Sequence, residues 1–465
     1  MKRVSIGSFL RLRIVAPFVL VAIALSLTPL MGAFAAGSST SPLTHVASQP
    51  LARTSHPFIT GSVQPPSDAS CRAKTGFPCY SPQEIRNAYD VTSLIKQGDT
   101  GKGQTIAIID SFGSPTIRND LNVFDKAYGL PNPPSLKVLA PLGTVPFNPK
   151  NADQNGWAFE TTLDVEWAHA LAPGANIVLL TSPVSETQGV QGLPEFLFLE
   201  QYAVAQLHVN IISQSWGTTE NTLFTQAGRY TLNQFENFYK YAAQKHVTVL
   251  ASAGDNGTAN PDVNGKIYPF PTVGFPASSP YVTAVGGTSL YASTTGSYQH
   301  ETVWDEVARG GGATGGGISE YFAEPYYQYA TLPSSDQKLL NGHRGLPDIS
   351  YNADPYTSIL VYLSFAPNTP GFYAIGGTSE GSPQWAGIVA DGNQLAGHPL
   401  GFLNPALYKV GSGSDRGEGY HDITVGNNGY DGIKGYNATP GWDAATGWGT
   451  PKTASLMQEL AALSN

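Results

Sequence analysis

Short runs of β-branched and apolar residues alternate with helical stretches over most of this chain, and that alternation constrains the fold more than any other feature. The predicted strands are 104–109, 175–181, 209–213, 247–251 and 281–285, each closed by Asp, Ser or Gly. Helical patterns lie between them, at 157–171 and 232–245 among others. Such alternation predicts an α/β fold with a mostly parallel sheet and helices on both faces.

Polar residues come directly after several of these strands. Asp110 follows the first strand, the Ser-Trp-Gly segment 215–217 follows the third, and the Gly-Asp-Asn-Gly segment 254–257 follows the fourth. In open α/β sheets the working site lies beyond the carboxyl ends of the strands. We therefore expect these three segments to meet at one edge of the sheet.

The charge balance excludes some classes of function. The 465 residues carry a formal net charge of −9, only 13% of them are charged, and no basic run follows the N-terminus. This argues against a nucleic-acid-binding protein. With 51 glycines and 35 prolines, the composition is typical of an ordered domain with many turns, because disorder requires low hydrophobicity and high charge.

The N-terminus is typical of an export signal. Basic residues precede an apolar run at 14–27, and small residues at 33–35 offer a cleavage site, so we predict a signal peptide over residues 1–35. An uncleaved membrane anchor is the alternative, although the apolar run is shorter than the roughly 20 residues that a membrane span needs. Residues 36–75 are predicted to form a flexible leader before a single folded domain at 76–465.

The two cysteines fit an exported protein. Cys71 and Cys79 enclose seven residues, and we predict that they form a disulfide in an oxidising compartment. Two thiols lack the third and fourth ligands of a structural zinc site, so we do not expect them to bind a metal.

The segment Gly-Gly-Thr-Ser occurs twice, at 286–289 and at 376–379. The first copy is followed by residues without helical character, whereas the second precedes a pattern in which Pro383 falls in the first turn of a helix, where proline is tolerated. A serine at a helix N-terminus lies among free backbone N–H groups and a positive dipole end, which favours a developing negative charge. Ser379 is therefore the candidate nucleophile; the alternative is a serine that only caps the helix.

A serine nucleophile needs a base, and histidine is the usual one. None of the nine histidines lies in a His-Gly-Thr helix start of the kind that subtilisins use. On the predicted helix 157–171, Glu160 and Asp164 are about 40° apart on one apolar face, whereas His169 points the opposite way. Burial and like charge should raise the pKa values of both carboxyls and let them share a proton. The alternative is a helix edge with two solvated acids.

Asp255 lies in the turn after the fourth predicted strand. An aspartate in a turn usually bonds nearby backbone, but a protonated one could donate a hydrogen bond to a tetrahedral oxyanion. An ionised carboxylate would repel that oxyanion. The role is therefore possible only in acid.

These motifs resemble the sedolisin family of serine-carboxyl peptidases, which have a subtilisin-like fold and use Ser, Glu and Asp in acid. The similar segments follow the order of the family from about residue 80 onward. They are Phe-Glu-Thr-Thr-Leu-Asp-Val-Glu-Trp-Ala-His at 159–169, Ser-Gln-Ser-Trp-Gly at 213–217, Ser-Ala-Gly-Asp-Asn-Gly at 252–257, the segment 275–288, and Gly-Gly-Thr-Ser at 376–379.

The resemblance implies roles for individual residues. Asp110 and Trp216 match positions that extend a hydrogen-bonded catalytic network, although Asp110 could be only a strand-end residue and Trp216 only a wall of the substrate cleft. The four principal roles are Ser379 as nucleophile, Glu160 as general base and acid, Asp164 as the partner that orients Glu160, and Asp255 as oxyanion donor.

Residues 411–450 are dense in Gly, Asn, Asp and Tyr and are predicted to be ordered loops that a cation could stabilise. The resemblance implies one structural Ca2+ in these loops, in an all-oxygen shell completed by water. A loop without metal is the alternative. The implied ligands are the side chains of Asp422 and Asp443 and the main-chain carbonyls of Ile423, Thr439 and Gly441.

One departure from the family concerns its long folded pro-region. The leader 36–75 is too short for such a domain, so we expect any folding helper to be a separate chain. The glycine-rich stretch 310–317 is not a phosphate loop, because no Gly-Lys-Ser/Thr follows it. It could instead let backbone lie close to a bound peptide.

The sequence thus predicts a secreted, acid-active serine endopeptidase. We expect it to be a monomer that acts on peptides or denatured proteins, without nucleic-acid partners and away from membranes after signal cleavage. An exopeptidase that releases tripeptides is the first alternative, because the sequence does not show whether the cleft is closed at one end. An inactive binding protein on a peptidase fold is the second, although all four principal catalytic residues are present.

Overall fold

The predicted strands form a central sheet in a computed structural model, which describes residues 62–365, 370–414 and 416–464. The strands of this sheet and of smaller ones are β1 (Cys79–Tyr80), β2 (Thr105–Ser111), β3 (Leu136–Leu139), β4 (Asn176–Ser182), β5 (Ile211–Gln214), β6 (Thr218–Thr219), β7 (Thr248–Ser252), β8 (Gly274–Phe275), β9 (Thr283–Ala292), β10 (Tyr298–Val303), β11 (Gly317–Ala323), β12 (His343–Leu346), β13 (Ile349–Asn352), β14 (Ser358–Leu363), β15 (Gly371–Ile375), β16 (Tyr420–His421) and β17 (Thr450–Pro451). The helices are α1 (Asp68–Thr75), α2 (Pro82–Ala88), α3 (Val91–Gln97), α4 (Ile117–Tyr128), α5 (Ala152–Leu171), α6 (Leu193–Gln206), α7 (Gln226–Gln244), α8 (Tyr326–Thr331), α9 (Ser334–Leu340), α10 (Gly381–Ala396), α11 (Asn404–Gly411), α12 (Arg416–Gly419) and α13 (Thr453–Leu463).

The central sheet is parallel except at one edge. Its strand order is β10-β9-β7-β5-β2-β4-β3, and β13 also pairs with β9. Only β10 runs antiparallel to its neighbour within this sheet, as described. The predicted α/β class with a mostly parallel sheet is confirmed.

The first Gly-Gly-Thr-Ser segment lies inside a strand. Strand β9 was predicted to end at residue 285, but it continues to Ala292. Pairing with two neighbouring strands accounts for the extra length of β9, because Gly286 pairs with Ser350 of β13 and Ser289 pairs with Thr302 of β10. This copy therefore cannot begin a helix.

Alternate residues of each strand face opposite layers of helices. In β2, Ile106 and Ile108 belong to the core cluster that contains α5 and α10, whereas Ala107 and Ile109 belong to the cluster that contains α6 and α7. A parallel sheet covered on both faces requires apolar side chains on both sides of its strands. This is why the strands appear in the sequence as continuous apolar runs.

Helix α5 runs through the interior, with α4, α10, β2 and β14 packed around it. Its residues from Glu160 to Leu171 are all buried. The buried surface of the helix is therefore wider than the single apolar face that was predicted, and the alternative of a helix edge with two solvated acids is wrong. Helix α10 approaches it closely at Gly387, where a Cβ would lie 2.6 Å from the Leu171 Cβ.

The segment just before the predicted domain is folded. The Ser67 hydroxyl caps α1, and a disulfide between Cys71 and Cys79 joins α1 to β1, as predicted. The Asp68 carboxylate accepts the Cys79 N–H at 3.0 Å. The predicted flexible leader 36–75 is therefore wrong for residues 68–75, because these two links fix α1 to the domain. The predicted signal peptide lies outside the described residues.

Loops make up most of the C-terminal region 411–450, as predicted. Isolated bridges join Asn427 to Asn437 and Asp443 to Gly447. Across the described ranges, the helices are all too short or too polar to cross a bilayer.

Candidate active site

Ser379 lies in a tight turn that leads directly into α10. A 3-10 turn spans Thr378–Glu380, and α10 begins at Gly381 with Pro383 as its third residue, as predicted. Gly377 has φ +117°, a backbone conformation that favours glycine, and its N–H donates to Ala353 O at 2.6 Å.

The Ser379 side chain does not serve as a helix cap. The cap position of α10 is Glu380, and no side-chain cap bond is made there. Ser379 is fully buried, and its Oγ has no hydrogen-bond partner among the described residues. By contrast, the Ser289 Oγ of the first Gly-Gly-Thr-Ser copy donates to Asp354 Oδ2 at 2.7 Å. The capping alternative is therefore wrong, and Ser379 is the serine with an uncommitted hydroxyl.

Glu160 and Asp164 are fully buried on α5, the helix that packs against the Ser379 turn. The Ser215 Oγ donates to Asp164 Oδ1 at 2.9 Å and lies 3.5 Å from the Ser379 carbonyl oxygen. Burial raises the pKa of Asp164 well above its ordinary value, and the charges of Asp110 and Glu160 raise it further. The Ser215 hydroxyl thus connects the serine turn to a cluster of buried carboxyl groups that resists ionisation.

Asp110 belongs to the same cluster but lies inside β2 rather than after it. The strand is longer than predicted because residues 105–111 all pair with β4. Asp110 is fully buried, and burial raises its pKa to about 7. It therefore holds its proton through the acid range.

Asp255 lies in the loop after β7 and contacts the turn that carries Ser379. Its Oδ1 accepts from the Thr378 N–H and from the Thr378 hydroxyl, both at 2.8 Å. The Gly254 N–H donates to the same hydroxyl at 3.1 Å. Asp255 therefore bonds the residue that precedes the serine.

Trp216 lies beneath this edge in the apolar core. Its side chain is 1% exposed, and its ring centroid lies 4.6 Å from that of Phe196 and 6.3 Å from that of Phe235. The indole N–H has no hydrogen-bond partner in the part of the chain that the structure describes. A network role for Trp216 thus remains a prediction.

His169 is turned away from the serine. Its Nε2 lies 2.8 Å from Pro131 O and 3.2 Å from Asp125 Oδ1 of α4. Being nine residues after Glu160 on α5, it faces a different neighbour, as the helical spacing predicted.

Comparisons with known proteins show which family this chain is similar to. Residues 144–400 match the model of the subtilase family. Kumamolisin of Bacillus sp. strain MN-32 is 35% identical over 77% of this chain and 59% of its own length. Tripeptidyl-peptidase 1 of Dictyostelium discoideum is 30% identical over 78% of this chain and 55% of its own. The chain thus spans less than two thirds of these curated relatives.

A solved structure covers more of the fold. Pseudomonas sedolisin, a serine-carboxyl proteinase complexed with two molecules of pseudo-iodotyrostatin, is 32% identical and aligns over 84% of this chain and 100% of its own, with a TM-score of 0.69. The chain belongs to the sedolisin family. Its fold is accordingly a subtilisin-like α/β domain.

Three polar residues of this sedolisin-family site were not singled out from the sequence as site residues. Ser215 and Thr378 connect the carboxylates to the serine turn. Each lies inside a segment that carries the resemblance to the family, and this position was the sequence signal that could have identified it as a site residue. Glu380 is fully buried directly after Ser379, and its Oε1 accepts from Asn352 Nδ2 at 2.8 Å. Burial raises the pKa of Glu380 well above its usual range. No spacing pattern in the sequence identifies a buried glutamate such as Glu380 as a site residue.

The predicted calcium ligands lie together in the C-terminal loops of this sedolisin-family domain. The Asp422 carboxylate accepts the Gly441 N–H at 3.0 and 3.2 Å, and Asp443 Oδ2 accepts the Thr439 N–H at 3.0 Å. Ile423 is buried beside them. Two carboxylates thus bond the segment 439–441, and carboxylate oxygens are among the hard donors that Ca2+ prefers. No cluster of three or more His, Cys, Asp or Glu side chains occurs in the described ranges, so backbone oxygens would have to complete the shell.

Proposed function

We propose that this sedolisin-family chain is a secreted, acid-active serine endopeptidase that hydrolyses peptide bonds in denatured proteins through an acyl-enzyme on Ser379. The observation that carries the proposal is the position of Ser379. Its uncommitted hydroxyl lies at the start of a 16-residue helix, in a turn that α5 contacts and that Asp255 bonds through Thr378. His169, the histidine on α5, is bonded elsewhere.

In the proposed reaction, Ser379 Oγ attacks the carbonyl carbon of the scissile bond while Glu160 takes the hydroxyl proton. Asp164, fixed by the Ser215 hydroxyl, orients Glu160. The carbonyl oxygen becomes an oxyanion, which accepts a hydrogen bond from protonated Asp255. Since Oδ1 of Asp255 accepts two bonds from Thr378, the donating proton would be on Oδ2.

The tetrahedral intermediate collapses when the C–N bond breaks and Glu160 gives its proton to the leaving amine. Water then attacks the acyl-enzyme, Glu160 takes one of its protons, and the second tetrahedral intermediate releases the acid product as Ser379 Oγ regains a proton. Asp110 and Trp216 would extend the network behind Asp164, with Asp110 neutral in acid.

The reaction requires acid because Glu160 must lose its proton while Asp255 keeps one. For carboxyls with ordinary pKa values near 4, both conditions are met together only at roughly pH 3–5. Incubation with a denatured protein across roughly pH 2–8, with mass spectrometry of the products, tests this. Internal cleavages with an acid maximum support the proposal, whereas a maximum at about pH 7 or above contradicts the carboxylate mechanism.

A tripeptide-releasing exopeptidase is the second candidate, favoured by the similarity to tripeptidyl-peptidase 1. The same mass spectra separate the two, because an exopeptidase would release three-residue fragments from free N-termini and leave the interior of the substrate intact. A folded protein whose Ser379 is not modified by a peptide aldehyde would instead be the inactive binding protein.

One structural Ca2+ forms part of the proposal. Asp422 and Asp443 would bind it through side-chain oxygens, and Ile423, Thr439 and Gly441 through main-chain carbonyls. When bound, the ion would stabilise the C-terminal loops and would supply no chemistry to the reaction. Export through the predicted signal peptide, a monomeric state and the absence of nucleic-acid partners remain parts of the same proposal.

A further inference from the structure

The glycine-rich stretch 310–317 lies against the loop after β7 that carries Asp255, which we call the Asp255 loop (residues 253–258). The Ala313 N–H donates to Asp255 O at 3.1 Å. A second bond, of 2.6 Å, runs from the Gly315 N–H to the carbonyl of the residue before Asp255. The place of Asp255 therefore depends on the place of the glycine-rich stretch.

The close approach of these two segments requires glycine. A Cβ on Gly315 would lie 2.0 Å from Ala253 O, and a Cβ on Gly312 would lie 2.7 Å from Asp255 O. A Cβ essentially never comes closer than 3.0 Å to such an atom, so neither position accepts a side chain at this spacing. The backbone that the stretch approaches in the structure is thus that of the Asp255 loop, and its approach to a bound peptide stays a prediction.

The side chain of Asn428, in the loop between β16 and β17, is bonded to the glycine-rich stretch. Asn428 is fully buried. Its Nδ2 donates to Thr314 O at 3.2 Å and to Gly316 O at 3.4 Å, and its Oδ1 accepts the Tyr436 N–H at 2.8 Å. Because Nδ2 has two carbonyl partners and Oδ1 has an N–H partner, these bonds fix the amide in one orientation.

The main chain of Asn428 contacts the Asp255 loop itself. The Thr258 N–H donates to Asn428 O at 3.3 Å, and a Cβ on Gly257 would lie 2.3 Å from the same oxygen. The Gly257 N–H donates to Ala313 O at 2.8 Å. Asn428 thus contacts the glycine-rich stretch through its side-chain amide and the Asp255 loop through its carbonyl.

We propose that Asn428 is a positioning residue for the reaction: its side-chain amide fixes the glycine-rich stretch, which in turn fixes Asp255 where the oxyanion forms. The inference rests on the proposed function, in which Asp255 donates a hydrogen bond to that oxyanion. Without the amide, two buried carbonyls would lose their donor, and the stretch would shift to regain hydrogen bonds. A shift of about 1 Å in a catalytic group can lower the rate roughly 100-fold.

A double-mutant cycle with Asp255 tests the proposal. In turnover of an internally quenched peptide at about pH 4, Asn428→Ala should lower kcat by roughly 10- to 100-fold. KM should change by less than about threefold, because the lost interaction belongs to the transition state. In an Asp255→Ala background, the same substitution should change kcat by less than about twofold, since no oxyanion donor remains to be positioned.

Hydrogen exchange gives a readout that does not depend on turnover. The parent is the Ser379→Ala protein, which avoids self-digestion. Adding Asn428→Ala to this parent should make the amides of residues 254–258 and 313–316 exchange at least roughly tenfold faster, because the two segments are no longer fixed to the C-terminal loops.

Asn404→Ala is the matched control, because it removes an equally buried amide elsewhere in the fold. The Asn404 Nδ2 donates to Val282 O at 2.9 Å and to the Tyr327 hydroxyl at 3.0 Å, groups that lie directly before β9 and in α8. This variant should lower the Tm, as Asn428→Ala does, but change kcat by less than about twofold. If Asn428→Ala does not fold, Asn428→Asp takes its place in every test, since it keeps the side-chain volume and loses at least one donor.

The inference is overturned if a folded Asn428 variant keeps kcat within about twofold of the wild type, or if it lowers kcat as strongly without the Asp255 carboxyl as with it. It is also overturned if exchange of the two segments is unchanged. Failure of the proposed function would appear separately, as near wild-type kcat in a folded Asp255→Ala protein.

Discussion

Replacing Asp110 with asparagine should change how the stability of the protein depends on pH. Asp110 is fully buried in β2, and burial raises its pKa from 3.8 to about 7. A carboxyl whose pKa is higher in the folded than in the unfolded state favours folding while it is protonated. Its contribution to the free energy of unfolding is therefore complete below about pH 4, declines as the pH rises, and is lost once the pH passes about 7.

The size of this effect follows from the two pKa values of Asp110. The difference between 3.8 and about 7, at about 1.4 kcal/mol for each pKa unit, corresponds to about 4 kcal/mol. Asparagine cannot ionise, so the Asp110→Asn protein should lack this loss, whatever its absolute stability in acid. The predicted quantity is thus a difference between two pH slopes, which does not depend on how well the amide packs.

Urea denaturation at several pH values between about 4 and 8 measures both slopes, with Ser379→Ala as the parent to prevent self-digestion. The stability of Asp110→Asn relative to the parent should rise by about 4 kcal/mol over this range. Asp262→Asn is the matched control, because Asp262 is partly exposed and hydrogen bonds from the Lys266 and Asn264 backbone lower its pKa, so it stays ionised over this range and its replacement should leave the slope nearly unchanged. A stability difference between Asp110→Asn and the parent that stays constant with pH would refute the argument from burial.

Three further predictions concern catalysis and metal binding. Glu160→Gln and Ser379→Ala should each lower activity by roughly 10²–10⁴-fold or more, and their double variant should be no worse, because the two residues act as one unit; a folded, active Glu160→Gln beside a folded, inactive His169→Ala would contradict this. Ser215→Ala removes the donor to Asp164 and should lower kcat by about 10-fold, because it leaves a buried acceptor without its partner, which costs about 1–3 kcal/mol; an unchanged kcat would show that Asp164 does not depend on it. A chelator should lower the Tm, because calcium at a hundredfold excess over its Kd adds about 2.7 kcal/mol to the free energy of unfolding. Asp443→Ala should abolish this response. An unchanged Tm in protein that elemental analysis shows to be free of calcium would argue against the site.

The placement of the candidate site residues on their helix and turn was largely predictable, because each signal is local in sequence. The spacing of Glu160, Asp164 and His169 along one helix places the carboxyls and the histidine on different sides, and the structure bonds His169 to α4. The choice between the two Gly-Gly-Thr-Ser copies was also local, since helical residues follow only Ser379. The disulfide could be predicted from a short loop between two cysteines.

Other features depend on contacts between distant segments. The width of the buried surface of α5 and the extension of β9 through the first Gly-Gly-Thr-Ser copy are both set by partners far along the chain. Sequence periodicity reports one face of one element, so it could not show that several elements would surround α5.

The sequence by itself determined the fold class, the candidate nucleophile and the carboxylates expected to act with it, because strand periodicity, helical spacing and turn composition are properties of short segments. Only the tertiary structure decided which polar groups meet. The hydrogen bonds of the Ser215 hydroxyl to Asp164 and of Thr378 to Asp255 join residues that are 51 and 123 positions apart. Hydrogen bonds and pKa shifts depend on the distance between atoms and on burial, and both are set by packing of the whole chain.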